Sequence, residues 1–145
     1  MPEQIALVND GGQTIGYKLR ADIQHTDAFH SVFVLLITPA RQLILSKIGQ
    51  KLSATAVAMR RGHETPEATA LRAVPHATQF HHLGDQFYTQ ANGRKIYLSV
   101  LYATTTSSTG PEHQALTAAE LDEHLQLATP ALHFIWQSYR HLLPV

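Results

Sequence analysis

The chain contains no cysteine in 145 residues, which excludes a disulfide framework, zinc–thiolate and iron–sulfur sites, and a thiol nucleophile. It carries no excess of either charge. Eleven Lys plus Arg balance 11 Asp plus Glu, so the formal charge is zero with histidine neutral. That balance argues against a nucleic-acid binder, which would show a basic excess, and against a polybasic membrane-surface role. Long hydrophobic runs are also missing: the longest, Val32 to Ile37, is far too short to span a bilayer. The N-terminus shows no basic region followed by an apolar stretch, so no secretory signal is read and a cytoplasmic location is expected. No segment repeats with a period of about twenty to fifty residues, which excludes a solenoid. Residues 1–145 therefore read as a single domain, 44% hydrophobic and 15% charged. A chain of that size can bury ~68–70% of the surface its unfolded form exposes.

Histidine is abundant, with ten residues spread from His25 to His141. No two of them sit at the His-x-x-x-His spacing that puts both imidazoles on one helical face, so no zincin-type metal site is present. His81 and His82 are adjacent in an expected strand, where neighbours point to opposite faces. Most of the ten read as polar surface positions.

The pattern along the chain alternates between short strands and capped helices. Gln4 to Asn9 and Thr14 to Leu19 read as a strand pair around Asp10-Gly11-Gly12, with Ile15, Tyr17 and Leu19 on one face. Phe29 to Thr38 is apolar on both faces, as a buried central strand requires, and Leu43 to Leu45 is its hairpin partner. Lys47 to Ser53 is polar and reads as loop; Thr55 to Arg60 reads as a short strand. Thr65-Pro66-Glu67 is a helix-start signature: a capping hydroxyl, a proline suited to the first turn, and an acid that complements the helix dipole. Pro75 ends that helix because its ring removes an N–H and clashes with the carbonyl of Leu71. Phe80 to Gln90 and Arg94 to Thr104 flank Ala91-Asn92-Gly93, a hairpin signal, and Thr104 to Pro111 has linker composition. Thr117-Ala-Ala-Glu120 is a capping box, and Thr129-Pro130 opens a last helix with Leu132, Ile135, Trp136, Tyr139 and Leu143 at core spacing. The fold class that follows is α+β: a mixed, largely antiparallel sheet with one short helix before the hairpin and two C-terminal helices.

One segment carries recognisable chemistry, Glu64-Thr-Pro-Glu67-Ala-Thr-Ala-Leu-Arg72-Ala73-Val74-Pro75-His76-Ala77. It resembles the signature box of the Nudix superfamily, hydrolases of nucleoside diphosphates linked to a second moiety. That box reads Gly, five residues, Glu, seven residues, Arg-Glu, an aliphatic, one residue, Glu-Glu, one residue, Gly, an aliphatic. Glu64 and Arg72 keep the seven-residue gap and Val74 fills the aliphatic position. The flanking elements fit too, and the C-terminal helices look most like the isopentenyl-diphosphate-isomerase-like branch. The resemblance implies an α/β/α Nudix-like sandwich.

The departures fall on the chemistry. Ala73, His76 and Ala77 stand where the family has glutamates, and Ala58 and Gln79 where it has glycines. In the family, Mg²⁺ or Mn²⁺ neutralises charge on the diphosphate as water attacks, and such hard cations need oxygen ligands. Here two methyl groups and an imidazole replace three carboxylates, so no metal is expected. Glu64 and Arg72 read either as a surviving metal ligand with its orienting partner or as a salt bridge tying loop to helix. Glu67 reads as a solvated first-turn acid. A softer transition-metal site from His63, Glu64 and His76 would need a looped-back geometry. Arg60, Arg61 and His63, just before the helix, read as an anion cradle or as an exposed basic loop. Tyr88, Tyr97 and Tyr102 read as base-stacking or cross-strand packing residues.

Three functions stay open on the sequence. The first is a Nudix-fold protein without Mg- or Mn-dependent hydrolysis that binds a nucleotide or other diphosphate small molecule. The second is an active hydrolase that recruits Mg²⁺ or Mn²⁺ through Glu64 with Glu67, Glu112 or Glu120. The third is an interaction module, a homodimer as many members of the family are, with a vestigial cleft.

Overall fold

The computed structural model describes residues 3–77, 79–105 and 112–145. Among these residues nine strands form one sheet: β1 (Gln4–Val8), β2 (Thr14–Leu19), β3 (Ala28–Ile37), β4 (Leu43–Ile48), β5 (Lys51–Ser53), β6 (Ala56–Met59), β7 (His81–Thr89), β8 (Lys95–Thr104) and β9 (His113–Leu116). Helices α1 (Pro66–Ala73), α2 (Ala118–Glu123) and α3 (Pro130–Tyr139) pack on its faces. This is the expected mixed sheet. All strand pairings are antiparallel except β3 with β8, which run parallel from Phe29↔Ile96 to Ile37↔Thr104.

Strand β3 organises the molecule because it is apolar on both faces and so is buried on both. Val32, Val34 and Leu36 turn to one side, where they meet Leu101 and Ala103 of β8 and Ala70 and Val74 of the α1 segment. Phe33, Leu35 and Ile37 turn to the other, where Leu98 and Val100 of β8 meet Leu121, Leu132, Ile135 and Trp136 from α2 and α3. Strand periodicity of two sends alternate residues to opposite layers, and helices cover each. One edge of β3 is occupied by β8. The other is shared in succession by β1, β6 and β4.

Each α-helix begins at the residue its sequence marks. Thr65 Oγ1 accepts from the Ala68 N–H at 3.1 Å, and Thr129 Oγ1 from the Leu132 N–H at 3.3 Å. Thr117 and Glu120 form the reciprocal capping box at 2.9 and 3.1 Å. The turn between β1 and β2 places Gly12 at φ +80°, open to glycine without steric cost. At Gly84, beside an irregularity in the β7–β8 register, an added Cβ would stand 2.8 Å from the Tyr139 hydroxyl, so glycine lets α3 close on the sheet.

Several expectations need correction. Lys47 to Ser53 is not loop: β4 continues to Ile48, turns, and returns as β5, with Ser46↔Ser53 and Ile48↔Lys51 paired. The pairing is made by backbone bonds at the sheet margin, where Ile48 is exposed while Leu52 and Ser53 are buried, so the run shows no clean apolar alternation to read. Strand β9 likewise carries no sequence signal; it pairs with β4 from Leu43↔Leu116 to Ser46↔His113. Most of the linker expected at Thr104 to Pro111 lies outside the described residues. Of the three β2 residues on one face, Tyr17 and Leu19 are half-buried and Ile15 is 66% exposed. β2 lies at the end of the strand order beside β1. No helix among the described residues is long and apolar enough to cross a membrane.

Candidate functional site

The chain between β6 and α1 is held by a carboxylate clamp. Glu64 Oε1 accepts from the Arg61 backbone N–H at 3.0 Å, the Thr69 hydroxyl at 3.1 Å and an Arg72 terminal nitrogen at 3.0 Å. Glu64 Oε2 accepts from Arg72 Nε at 2.9 Å. Arg72 therefore grips the carboxylate with two bonds, and the same guanidinium donates to the Met59 carbonyl at 2.8 Å. Both side chains are about a quarter exposed, at 25% and 29%. The Arg72 hydrogen bonds, with help from the Arg61 N–H and Thr69, hold the Glu64 carboxyl below its ordinary range, against the opposing pull of burial. The seven-residue gap thus spans a loop and two helical turns so that residue 72 can reach back to residue 64. That is the loop-to-helix tie, one of the two readings the sequence left open.

Helix α1 ends at Ala73, and Pro75 follows in a turn. His76 is exposed beyond it, while Ala77 is buried against the Val32–Val34 layer. Positions 73, 76 and 77 consequently do not share one helical face. Glu67 leaves α1 toward His82, 3.5 Å away, Glu120 is spent in its capping box, and Glu112 is exposed in the turn just before β9. The displaced carboxylates considered from sequence are therefore not brought together with Glu64. Among the described residues no group of three His, Asp or Glu side chains is placed to hold a metal ion. Among the described residues a divalent cation of the kind the family uses does not fit, because Glu64 already takes four protein donors, Glu67 turns to His82, and Ala73, His76 and Ala77 offer no side-chain oxygen.

A cavity of about 620 Å³ opens beside this clamp. Phe29, Phe33, Ile5 and Ile96 provide an apolar floor, β6 forms one wall, and Arg72 and Ala73 of α1 close the end. Arg20, Arg61 and Arg72 line it against a single carboxylate, Glu3, which pairs with Arg61 at 2.5 Å. With Glu64, which pairs with Arg72, counted as well, the three guanidiniums exceed the two carboxylates by one charge, in a protein whose total charge is zero. Apolar walls with a few charged groups suit an organic anion of nucleotide size.

The three residues expected to cradle an anion go to three places. Arg61 lines the cavity. His63 lies outside it, its Nδ1 3.0 Å from the Tyr17 hydroxyl. Arg60 is buried and points the other way, bonding His30 Nδ1 at 2.9 Å, the Glu64 carbonyl at 3.0 Å and the Thr14 hydroxyl. Arg20, in contrast, reaches the cavity from just after β2 although nothing in its local sequence marks it. Tyr88 packs on Phe134, Tyr97 on Phe87 and His30, and Tyr102 on His81, so the tyrosines serve packing.

A second polar constellation has no linear signal because its members are scattered along the chain. From Arg60, the chain of bonds runs through His30 to Ser99 Oγ at 2.6 Å, on to Asp85 Oδ1 at 2.5 Å, and to His82 Nε2 at 2.7 Å. It has the membership of a Ser–His–Asp triad with the wrong polarity. An arginine Nε can only donate, so His30 Nδ1 accepts and its Nε2 carries the proton. Nε2–H then donates to Ser99, whose own proton goes to Asp85. His30 cannot take the Ser99 proton, and Ser99 is fully buried. Burial first, then the Arg60 charge, lowers the His30 pKa to about 4, so the imidazole stays neutral.

No family model matches the sequence, and no curated protein is significantly similar to it. Solved structures are similar in fold. The DR0079 protein of Deinococcus radiodurans superposes with a TM-score of 0.73 at 16% identity, covering 94% of this chain and 98% of that one. A Nudix hydrolase from Nitrosomonas europaea gives 0.59 at 15% identity, covering 77% of this chain and 88% of that one. The Nudix hydrolase RenU of M. smegmatis gives 0.53 at 13% identity, covering 96% and 94%. These likenesses show a Nudix hydrolase fold.

Proposed function

We propose that this Nudix-fold chain binds an organic anion, a nucleotide or another diphosphate-sized small molecule, in the cavity beside α1, and does so without the Mg²⁺- or Mn²⁺-dependent hydrolysis of the family. One observation carries the reading: a cleft lined by Arg20, Arg61 and Arg72 whose nearest box carboxylate, Glu64, is wholly engaged in protein hydrogen bonds. Guanidinium groups at the rim supply the charge compensation that a metal supplies in an active relative, but only to hold the anion. No carboxylate among the described lining residues is free to order a cation and an attacking water. Fold alone does not assign chemistry, so the reading rests on these side chains.

Two measurements test it. Calorimetric titration with ADP and with pyrophosphate, in EDTA, is expected to show saturable binding that added Mg²⁺ does not strengthen. Incubation with sugar nucleotides, ADP-ribose, dinucleoside polyphosphates and oxidised nucleotides in Mg²⁺ or Mn²⁺ is expected to give no turnover. Hydrolysis that Glu64→Gln abolishes would refute the proposal.

A further inference from the structure

All four consecutive residues of β6, Ala56, Val57, Ala58 and Met59, line the cavity. Successive side chains of a strand point to opposite faces. Four in a row can share one cavity only if it runs along the strand's edge, so the backbone itself forms the wall. The register shows which groups are on offer. The Arg60 N–H donates to the His30 carbonyl at 2.9 Å, and His30↔Arg60 extends the antiparallel ladder that includes Val32↔Ala58 and Val34↔Ala56. Hydrogen-bonded pairs alternate along such a ladder. Residues 56, 58 and 60 therefore spend their amides on β3, and residues 57 and 59 turn theirs outward. Arg72 already takes the Met59 carbonyl. What faces the cavity is the Val57 N–H, the Val57 C=O and the Met59 N–H.

The geometry points to the β6 edge as a specificity-determining element that reads a planar heterocycle presenting a hydrogen-bond acceptor next to a donor, while Arg61 and Arg20 hold the anionic end of the same molecule. This deepens the anion-binding proposal and rests on it. Two features favour a small planar ligand over an added peptide strand. The Arg72 guanidinium caps the edge at Met59, two residues beyond Val57, leaving a single repeat where a strand would need several. Beside that repeat lies apolar surface, the Phe29 and Phe33 floor and the 47%-exposed Val57 side chain, suited to the face of a flat ring. A base with such an edge accepts from the Val57 N–H and donates to the Val57 C=O.

Amide-resolved NMR on the whole chain tests the assignment with AMP and ribose 5-phosphate, which share a phosphate and a sugar but differ in the base. AMP is expected to bind about tenfold or more tightly, which is about 1.4 kcal/mol. It should also shift the Val57 and Met59 amides and slow their exchange, which ribose 5-phosphate should leave unchanged. Val57→Pro removes the outward N–H and keeps an apolar side chain, on an edge strand where proline is tolerated. It should lower AMP affinity to that of ribose 5-phosphate without changing the latter. Should Val57→Pro fail to fold, the wild-type amide shifts decide alone. Equal affinities with Val57 and Met59 unmoved would overturn the edge assignment and leave anion binding standing. If neither AMP, ribose 5-phosphate nor pyrophosphate binds, both proposals fall.

Discussion

Replacing Glu64 with glutamine separates a structural clamp from a catalytic carboxylate. Gln keeps one carbonyl oxygen for the Arg61 N–H and the Thr69 hydroxyl, but it sets an NH₂ against the Arg72 Nε that now donates at 2.9 Å. Two charge-assisted bonds are lost or weakened, each of a kind worth about 1.5–3 kcal/mol. Breaking a fully buried pair costs about 3–5 kcal/mol and an exposed one about 0–1. With the two side chains 25% and 29% exposed, we expect a loss of about 2–3 kcal/mol, or roughly 5–10 °C in Tm for a chain of this size. The clamp also has a pH signature. Because folding lowers the Glu64 pKa, its stabilisation is present above the unfolded carboxylate value of about 4.3 and lost as pH falls through the lower folded value. Urea denaturation at about pH 7 and across roughly pH 3 to 4.5 reads both effects, and the variant should lack that acid-limb component. ADP affinity of the folded variant should stay within about threefold, since the Arg72 donors remain at the cavity. The reasoning fails if Glu64→Gln unfolds within about 0.5 kcal/mol of the wild type while ligand turnover or binding disappears.

Other outcomes follow from the same geometry. His30 is held neutral by a pKa lowered from the ordinary 6.5 to about 4, so the unfolded chain binds its proton first as pH falls. Stability should then be unaffected by His30 above about pH 6.5 and decline from there to about pH 4 by about 3 kcal/mol; a His30 NMR titration midpoint near the ordinary imidazole value in the folded protein would contradict this. Arg61→Ala should weaken pyrophosphate binding about five- to tenfold, most at low salt, because the contact is a charge at a solvent-accessible rim. Equal affinity for the variant and the wild type in calorimetry at about 20 mM salt would remove Arg61 from the site. Ala73→Glu adds one carboxylate at the end of α1 but none at positions 76 and 77, which lie past the helix, so no activity is expected. Metal-dependent phosphate release by that variant in a malachite-green assay would show that a single ligand suffices.

The elements legible in the sequence share a physical basis: each is written in a local run of residues. Thr65-Pro66, Thr117 with Glu120, and Thr129-Pro130 place helix starts because capping is satisfied within one turn. Asn92-Gly93 and Gly11-Gly12 place turns because left-handed backbone suits few residues. Phe29 to Thr38 reveals the central strand because both of its faces need apolar cover. β9, β5 and the outer part of β4 are illegible because each is short, with one or two apolar residues, and is specified by the partner's free edge rather than by a pattern of its own.

For the site, the sequence alone determined which chemical groups are available: Glu64 and Arg72 at the right separation, with alanine, histidine and alanine in place of carboxylates. Covalent spacing and side-chain chemistry suffice for that. Only the tertiary structure decided how they are used. It turned Arg60 inward to His30, sent His63 to Tyr17, and brought Arg20 and the bare edge of β6 to one cavity. Those partners are far apart along the chain or lie in backbone groups that every residue shares. Their meeting depends on strand pairing and helix packing across the sheet, which no local stretch of residues encodes.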